Sequence, residues 1–262
     1  MNSAAGRLEA LLQLMRRLRD PQHGCPWDRA QDFATIAPHT IEEAYELEDA
    51  IAGGESARIR DELGDLLFQV VFHAQLAAER GWFDFADVAA GIHDKLVRRH
   101  PHVFGDATPG NAAELGRAWD EAKARERASA GASGALAGVA RALPALARAS
   151  KLARRAGAVG FDWFDERAVR PKIAEELRET EQAVASGDAA AIEEELGDVL
   201  FAVANWARLL KIDPETALRA ANRKFERRFA AMEALIAARG WQPTELSAAQ
   251  WDELWVSVKA AE

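Results

Sequence analysis

The sequence contains one cysteine, Cys25, among 262 residues. A single cysteine cannot form an intramolecular disulfide and is typical of a reducing compartment, so we expect a cytoplasmic protein. No segment approaches the roughly 18–20 consecutive apolar residues of a membrane span, and no charged-then-apolar leader indicates secretion. The net charge of −9 argues against non-specific binding to nucleic acid. We therefore expect neither a membrane nor a nucleic-acid partner.

Several catalytic signatures are also missing from the sequence. It has no Gly-x-x-x-x-Gly-Lys-Ser/Thr phosphate loop, which excludes a P-loop nucleotidase. None of the six histidines follows a glutamate by three residues, so the pattern of a di-iron carboxylate bundle is absent. Histidines with the spacing of zinc ligands are absent too. Any metal chemistry must therefore rest on carboxylate oxygens.

Alternating β-branched segments are absent as well, and the sequence is dominated by Ala, Leu, Glu and Arg with apolar residues at helical spacing. These features predict an all-α protein, with short loops that favour antiparallel bundles. We predict helices near residues 3–19, 38–52, 56–80, 85–99, 111–128, 143–157, 165–185, 189–211, 214–239 and 247–260.

A carboxylate pattern occurs twice in the chain, 133 residues apart. Each copy reads Glu-Glu-x-x-Glu and, after a spacer, Glu-Leu-Gly-Asp. A basic cluster, Lys-x-x-Arg-Arg, follows each copy at an offset of 129 residues, and the difference of four residues is about one helical turn. We infer a tandem duplication. The acids are Glu42, Glu43, Glu46, Glu62 and Asp65, then Glu175, Glu176, Glu179, Glu195 and Asp198; the basic pairs are Lys95 with Arg99 and Lys224 with Arg228.

The duplication predicts two helical-bundle domains of about four helices each. The first is expected over residues 1–106 and the second over residues 139–262. Residues 107–138 are expected to form a connecting helix and a linker of small residues.

Carboxylates three residues apart share a helix face, so two antiparallel helices can bring four of them together. The carboxylates of such a group repel one another unless a cation compensates their charge. A ligand set made of oxygen atoms alone favours Mg²⁺, with Mn²⁺ as a substitute. We expect Gly64 and Gly197 to allow a close approach of the facing helix. The alternatives are a solvated acidic face and, for Glu43, a capping box with Thr40.

Four motifs resemble the MazG family of all-α nucleoside triphosphate pyrophosphohydrolases, in its form with two tandem domains. They are Gly24-Cys-Pro-Trp-Asp28, Glu62-Leu-Gly-Asp-Leu-Leu-Phe68, Arg98-Arg-His-Pro-His-Val-Phe104 and Gly160-Phe-Asp-Trp163, and the resemblance covers essentially the whole chain. It implies Mg²⁺-dependent hydrolysis of nucleoside triphosphates to the monophosphate and pyrophosphate by a homodimer. It also implies broad base specificity and a house-cleaning or stress-response role.

The resemblance also assigns roles to residues. The spacing alone does not choose between the adjacent glutamates 175 and 176, and the resemblance selects Glu176. It implies that the C-terminal domain is the active one, although the N-terminal acids and basic pair are also complete, so the activity of the first domain stays open. The implied catalytic and metal-binding residues are Glu176, Glu179, Glu195 and Asp198, with Glu43, Glu46, Glu62 and Asp65 as a possible second site. The implied phosphate-binding residues are Lys224 and Arg228, with Lys95 and Arg99 as N-terminal equivalents.

The base contacts are expected from aromatic residues. Trp163 precedes the helices that carry the ligands, and Trp255 shares a face of the last helix with Trp251, although such a stripe is also typical of a core or a dimer interface. In the expected mechanism, a water on the metal attacks the α-phosphorus and pyrophosphate leaves. Two other functions remain open: a non-enzymatic, nucleotide-sensing dimer scaffold, and a magnesium-dependent hydrolase that releases orthophosphate.

Overall fold

The structure, a computed structural model, describes residues 3–106, 110–129, 131, 134–163 and 165–262. Within these ranges every regular element is a helix, which confirms the all-α prediction. None of the described helices is both long enough and apolar enough to span a bilayer. The helices are α1 (Ala4–Leu18), α2 (Pro26–Ala30), α3 (Phe33–Gly53), α4 (Ser56–Glu79), α5 (Phe85–Arg99), α6 (Pro101–Phe104), α7 (Ala112–Ser129), α8 (Ala145–Gly157), α9 (Glu166–Ser186), α10 (Ala189–Leu209), α11 (Pro214–Ala238) and α12 (Ala248–Ala260), with a 3₁₀ turn at Pro243–Glu245.

The chain divides into two compact units, Met1–Ala122 and Lys123–Glu262. The division falls inside α7, within the connection expected at residues 107–138. The finer domain boundaries that the sequence suggested stay predictions.

The duplication is visible in the paired helices α3 and α9, which each contain 21 residues. Asp32 and Asp165, 133 residues apart, cap their N-termini by accepting hydrogen bonds from two backbone N–H groups each. Gly54 and Gly187 end them in the left-handed region, at φ 74° and 73°. The same capping residues therefore fix the same helix length in both units.

The start of α3 differs from the prediction of a helix beginning at residue 38. The helix begins at Phe33, because Asp32 and Thr35 form a capping box there. Pro38 lies inside the helix, as Pro171 does in α9. Thr40 is also inside α3, so the alternative of a capping box between Thr40 and Glu43 is wrong.

The helices α4 and α10 pack against α3 and α9 respectively. They begin 133 residues apart, but α4 has 24 residues and α10 has 21. The offset between the two copies falls by four residues, from 133 at the acids to 129 at the basic clusters. The shorter α10 accounts for three of these four residues. The remaining residue is lost between the helix end and the next N-cap, Asp84 in one unit and Asp213 in the other.

The expected role of Gly64 and Gly197 is wrong. A Cβ added to either glycine would meet no described atom within 4 Å, apart from its own helix backbone. Steric room for the facing helix is therefore not what these glycines provide.

Each unit has an apolar core that fixes these helices. In the first unit, side chains of α1, α3 and α4 form the buried cluster Met15, Ile36, Val71, Phe72 and Leu76. In the second, α11 and α12 bury Met232, Ile236, Leu254 and Val258, and Trp251 and Trp255 pack against this cluster. Burial of such side chains stabilises a fold by about 1.5–3 kcal/mol each.

Candidate metal centre

The first acidic cluster lies between α3 and α4. Glu43 of α3 and the pair Glu62 and Asp65 of α4 each offer a carboxylate oxygen, and these oxygens all lie within 4.8 Å of one another. Glu46, one helical turn after Glu43, lies outside this triad. The packing of the two helices thus brings together three of the four carboxylates that the sequence selected.

The electrostatics of this cluster are unfavourable without a cation. The pKa of Glu43 is raised above its ordinary value, first because the carboxyl is desolvated and then because Asp65, Glu46 and Glu62 repel its charge. Glu42 makes a smaller contribution of the same sign. Because the ionised form of Glu43 is disfavoured, a bound cation would stabilise this part of the fold.

The second acidic cluster occupies the equivalent place between α9 and α10. Glu176 and Glu179 of α9 and Glu195 of α10 have carboxylate oxygens within 4.8 Å of one another. Glu176 is buried, at 6% exposure. Burial raises the pKa of Glu195, and the charges of Glu179, Glu176 and Asp198 raise it further. Asp198 lies outside the triad but close enough to act on it.

The triads include Glu43 and Glu176 rather than the adjacent Glu42 and Glu175. The spacing alone left this choice open, whereas the side chains differ in exposure: that of Glu175 is 45% exposed and that of Glu176 is 8%. The resemblance selected the same glutamate. Inward orientation of the second residue of each pair follows from the packing of α3 on α4 and of α9 on α10.

A lysine that the sequence analysis missed lies against the second cluster. The Lys172 Nζ atom is 2.7 Å from Glu176 Oε1 and 3.0 Å from Glu175 Oε1. Glu176 and then Glu175 raise the pKa of Lys172 by their hydrogen bonds to it. The signal was available, because Lys172 precedes Glu176 by four residues, one helical turn. The first unit has His39 at this position, with Nδ1 3.3 Å from Glu42 Oε2.

The first cluster has a different cation nearby. Arg58 Nε lies 3.6 Å from Glu62 Oε1, and Arg58 Nη2 lies 2.9 Å from Asp49 Oδ2. The second unit has Ala191 at the corresponding position. The triads have two equivalent positions in common, Glu43 with Glu176 and Glu62 with Glu195, and they differ in the third carboxylate and in the side chain that compensates them.

The basic pairs lie on α5 and α11, the helices that follow the acidic ones. Arg228 lies over the ring of Trp255 at 5.4 Å from its centroid, and Arg99 lies over Trp119 at 4.9 Å. The second arginine of each basic cluster thus stacks on a tryptophan of a later helix. Arg228 also donates hydrogen bonds to Glu262, which the sequence analysis did not anticipate. Lys95 and Lys224 occupy the same helices one turn earlier.

Trp163 lies in a loop that is anchored to α10. Its backbone N–H donates to Asp162 Oδ1 at 2.9 Å, and Arg208 Nη2 donates to the same oxygen at 2.5 Å. Arg208 Nε donates in turn to the buried Asn205, at 2.7 Å. A Cβ at Gly157 would lie 2.5 Å from Asp162 Oδ2, so a glycine at the end of α8 leaves room for this loop.

The donor sets of both clusters consist of carboxylate oxygens, the ligands that hard divalent cations prefer. The described part of the chain thus combines an all-helical fold with paired acidic clusters suited to such an ion. This fold and donor set define a class of helical-bundle proteins whose paired acidic clusters are suited to a divalent cation.

Comparison with known proteins places the chain within that class. The MazG nucleotide pyrophosphohydrolase domain matches residues 31–104 and 164–231. The nucleoside triphosphate pyrophosphohydrolase of Escherichia coli K12 is 50% identical over 258 residues, covering 98% of each chain. The nucleoside triphosphate pyrophosphohydrolase/pyrophosphatase MazG of Thermotoga maritima is 43% identical over 100% of this chain and 99% of its own length. The chain belongs to the MazG nucleotide pyrophosphohydrolase family.

The two matched segments contain both acidic clusters and both basic pairs. Trp163 and Trp255 lie outside these segments. The aromatic base contacts therefore have weaker support than the carboxylates and the basic residues.

Proposed function

We propose that this protein hydrolyses nucleoside triphosphates to the nucleoside monophosphate and pyrophosphate. The observation that carries the proposal is the carboxylate triad Glu176, Glu179 and Glu195, formed between two helices within a segment that matches the MazG domain. Full-length relatives named for this activity support it. Broad base specificity and a house-cleaning or stress-response role belong to the same proposal.

Mg²⁺ is the proposed cofactor, with Mn²⁺ as a substitute. Glu176, Glu179 and Glu195 would hold the ion, and Asp198 would join them because it lies one turn from Glu195 on the same helix. The chemistry of the donor set fits, since Mg²⁺ takes oxygen ligands and often bridges to phosphates. The corresponding residues of the first unit are proposed as a possible second site: Glu43, Glu46, Glu62 and Asp65.

The ion, when bound, would polarise the triphosphate and lower the pKa of a coordinated water. A carboxylate of the cluster would orient this water and accept its proton. The water oxygen forms a bond to the α-phosphorus, while the bond from that phosphorus to the bridging oxygen of the β-phosphate breaks. Lys224 and Arg228 would stabilise the negative charge of the leaving pyrophosphate.

Substrate binding would draw on the aromatic residues as well. Trp163 and Trp255 are proposed to stack on the base, and stacking without hydrogen bonds to base edges gives low base specificity. Lys95 and Arg99 are the corresponding N-terminal phosphate-binding candidates. The homodimer and the cytoplasmic location stay predictions.

The test is product analysis with ATP, dGTP and dUTP in the presence of Mg²⁺. The proposal expects monophosphate and pyrophosphate from each. Orthophosphate together with the nucleoside diphosphate, and no pyrophosphate, would instead identify a hydrolase of the terminal phosphate. Binding without turnover would identify the nucleotide-sensing scaffold.

Three matched variants assign the reaction to a cluster. Glu176→Gln should abolish turnover, whereas Glu175→Gln, which removes the same charge from the adjacent exposed position, should retain most of it. Glu43→Gln should leave turnover largely intact if the C-terminal cluster is the active one. Loss of activity in Glu43→Gln alone would reverse the assignment.

A further inference from the structure

The basic cluster of α11 is engaged by a carboxylate of this chain. Glu262 Oε2 accepts hydrogen bonds from Arg228 Nε at 3.0 Å and from Arg228 Nη2 at 2.6 Å. The Arg228 side chain is largely buried, at 15% exposure, while that of Glu262 is 41% exposed. The guanidinium is also held from another side by the ring of Trp255.

More than one cation of the basic cluster acts on Glu262. The pKa of this carboxyl is lowered, chiefly because Arg228 donates hydrogen bonds to it and also because of the charges of Arg228, Arg227 and Lys224. The interaction is mutual, since the hydrogen bond to Glu262 raises the pKa of Arg228. Glu262 therefore lies in the field of the residues proposed to bind substrate phosphates.

A carboxylate and a phosphate use the same recognition chemistry. Both present anionic oxygens to the N–H donors of a guanidinium, and each bond is strengthened by charge. Glu262 follows α12 by two residues and is partly exposed, so its carboxylate can leave Arg228 without disturbing the buried face of that helix. A triphosphate carries more charge than one carboxylate and would displace it.

We propose that Glu262 is an intramolecular ligand of Arg228 that competes with the phosphates of the nucleoside triphosphate and thereby sets the substrate affinity. The inference rests on the proposed function, in which Lys224 and Arg228 bind the polyphosphate. It predicts that removing the Glu262 charge tightens substrate binding and leaves the chemical step unchanged.

The experiment compares the KM and kcat of Glu262→Gln with those of the wild-type protein, using ATP and dGTP with Mg²⁺. Glu262 is 41% exposed, so solvent screens its charge and the expected fall in KM is about twofold to fivefold, with kcat unchanged. Glu253→Gln is the matched control, because Glu253 is an exposed glutamate of α12. This control removes the same charge from the same helix and should not change KM.

Arg228→Gln and a thermal unfolding measurement separate the outcomes. If Arg228→Gln raises KM while Glu262→Gln leaves it unchanged, Glu262 does not compete and the inference is wrong, although the phosphate assignment stands. If neither variant changes KM, the assignment of Arg228 to the substrate is itself wrong. A lower melting temperature in Glu262→Gln with an unchanged KM would show that the pair only fastens the end of α12.

Discussion

Neutralising one glutamate should have different consequences for stability in the two acidic clusters when divalent cations are removed. Glu43→Gln should stabilise the first unit, because Glu43 is repelled by its neighbours and desolvated. Glu176→Gln should give no such gain, because Lys172 already compensates Glu176 at 2.7 Å. The substitution is nearly isosteric in both cases, so the contrast isolates charge.

The magnitude for Glu43 follows from the geometry. Two unit charges separated by the 4.8 Å limit of the triad repel each other by about 1 kcal/mol at the dielectric constant of water. Glu43 has two such neighbours, Glu62 and Asp65, and lies partly in solvent, which screens both. We therefore expect Glu43→Gln to raise the free energy of unfolding by about 1 kcal/mol.

The assay is denaturant unfolding in EDTA and again in saturating Mg²⁺. Wild-type protein should gain stability from the ion, by about 2.7 kcal/mol at one hundred times the dissociation constant. Glu43→Gln should gain less stability from Mg²⁺ in its own unit, so in saturating Mg²⁺ it should no longer be more stable than the wild-type protein. A decrease of stability for Glu43→Gln in EDTA, or equal changes in both variants, would show that repulsion does not govern the first cluster.

Three further outcomes follow from particular contacts. The pKa of Glu43 is raised from 4.5 in the folded state. In EDTA, the free energy of unfolding should therefore increase as the pH falls through that raised pKa, and this gain should be lost as the pH rises again. Urea titrations at a series of pH values measure the effect. Lys211 adopts φ 62° where the first unit has Gly81 at φ 67°. Because only glycine adopts this left-handed conformation without strain, Lys211→Gly should raise the free energy of unfolding by about 0.5–1 kcal/mol and Gly81→Ala should lower it by about 1 kcal/mol. Both changes can be measured from denaturant midpoints. Arg208→Met removes the guanidinium that pairs with Asp162 and should cost about 2 kcal/mol in the same assay. Arg239→Met, at an exposed helix end, removes only a stacking contact with Trp241 and should cost about 0.5 kcal/mol. An unchanged midpoint in Arg208→Met would mean that solvent replaces its contacts.

The duplication explains why so much of the helical framework could be predicted. Two helix pairs have capping residues in register, Asp32 with Asp165 and Asp84 with Asp213, and these residues act locally on the backbone next to them. The spacing of the acids likewise fixes which carboxylates share a helix face. A local sequence signal that occurs in both copies predicts a helix more reliably than a signal that occurs in one copy.

The features that were missed depend on how side chains meet after the helices pack. The role expected for Gly64 was wrong because no described atom of the facing helix lies within 4 Å of the place that an added Cβ would take. The ion pairs of Lys172 and Arg58 differ between the units, and so does the third carboxylate of each triad, although both copies of the sequence motif contain the same acids. Glu262 reaches Arg228 across 34 residues of sequence, a distance over which spacing carries no signal.

The most direct test of the account is hydrolysis of ATP in water labelled with heavy oxygen, with wild-type protein and Mg²⁺. If the cluster of Glu176, Glu179 and Glu195 directs water to the α-phosphorus, the label will enter the monophosphate, and Glu176→Gln will abolish its incorporation. Label found in pyrophosphate, or incorporation that persists in Glu176→Gln, would contradict it.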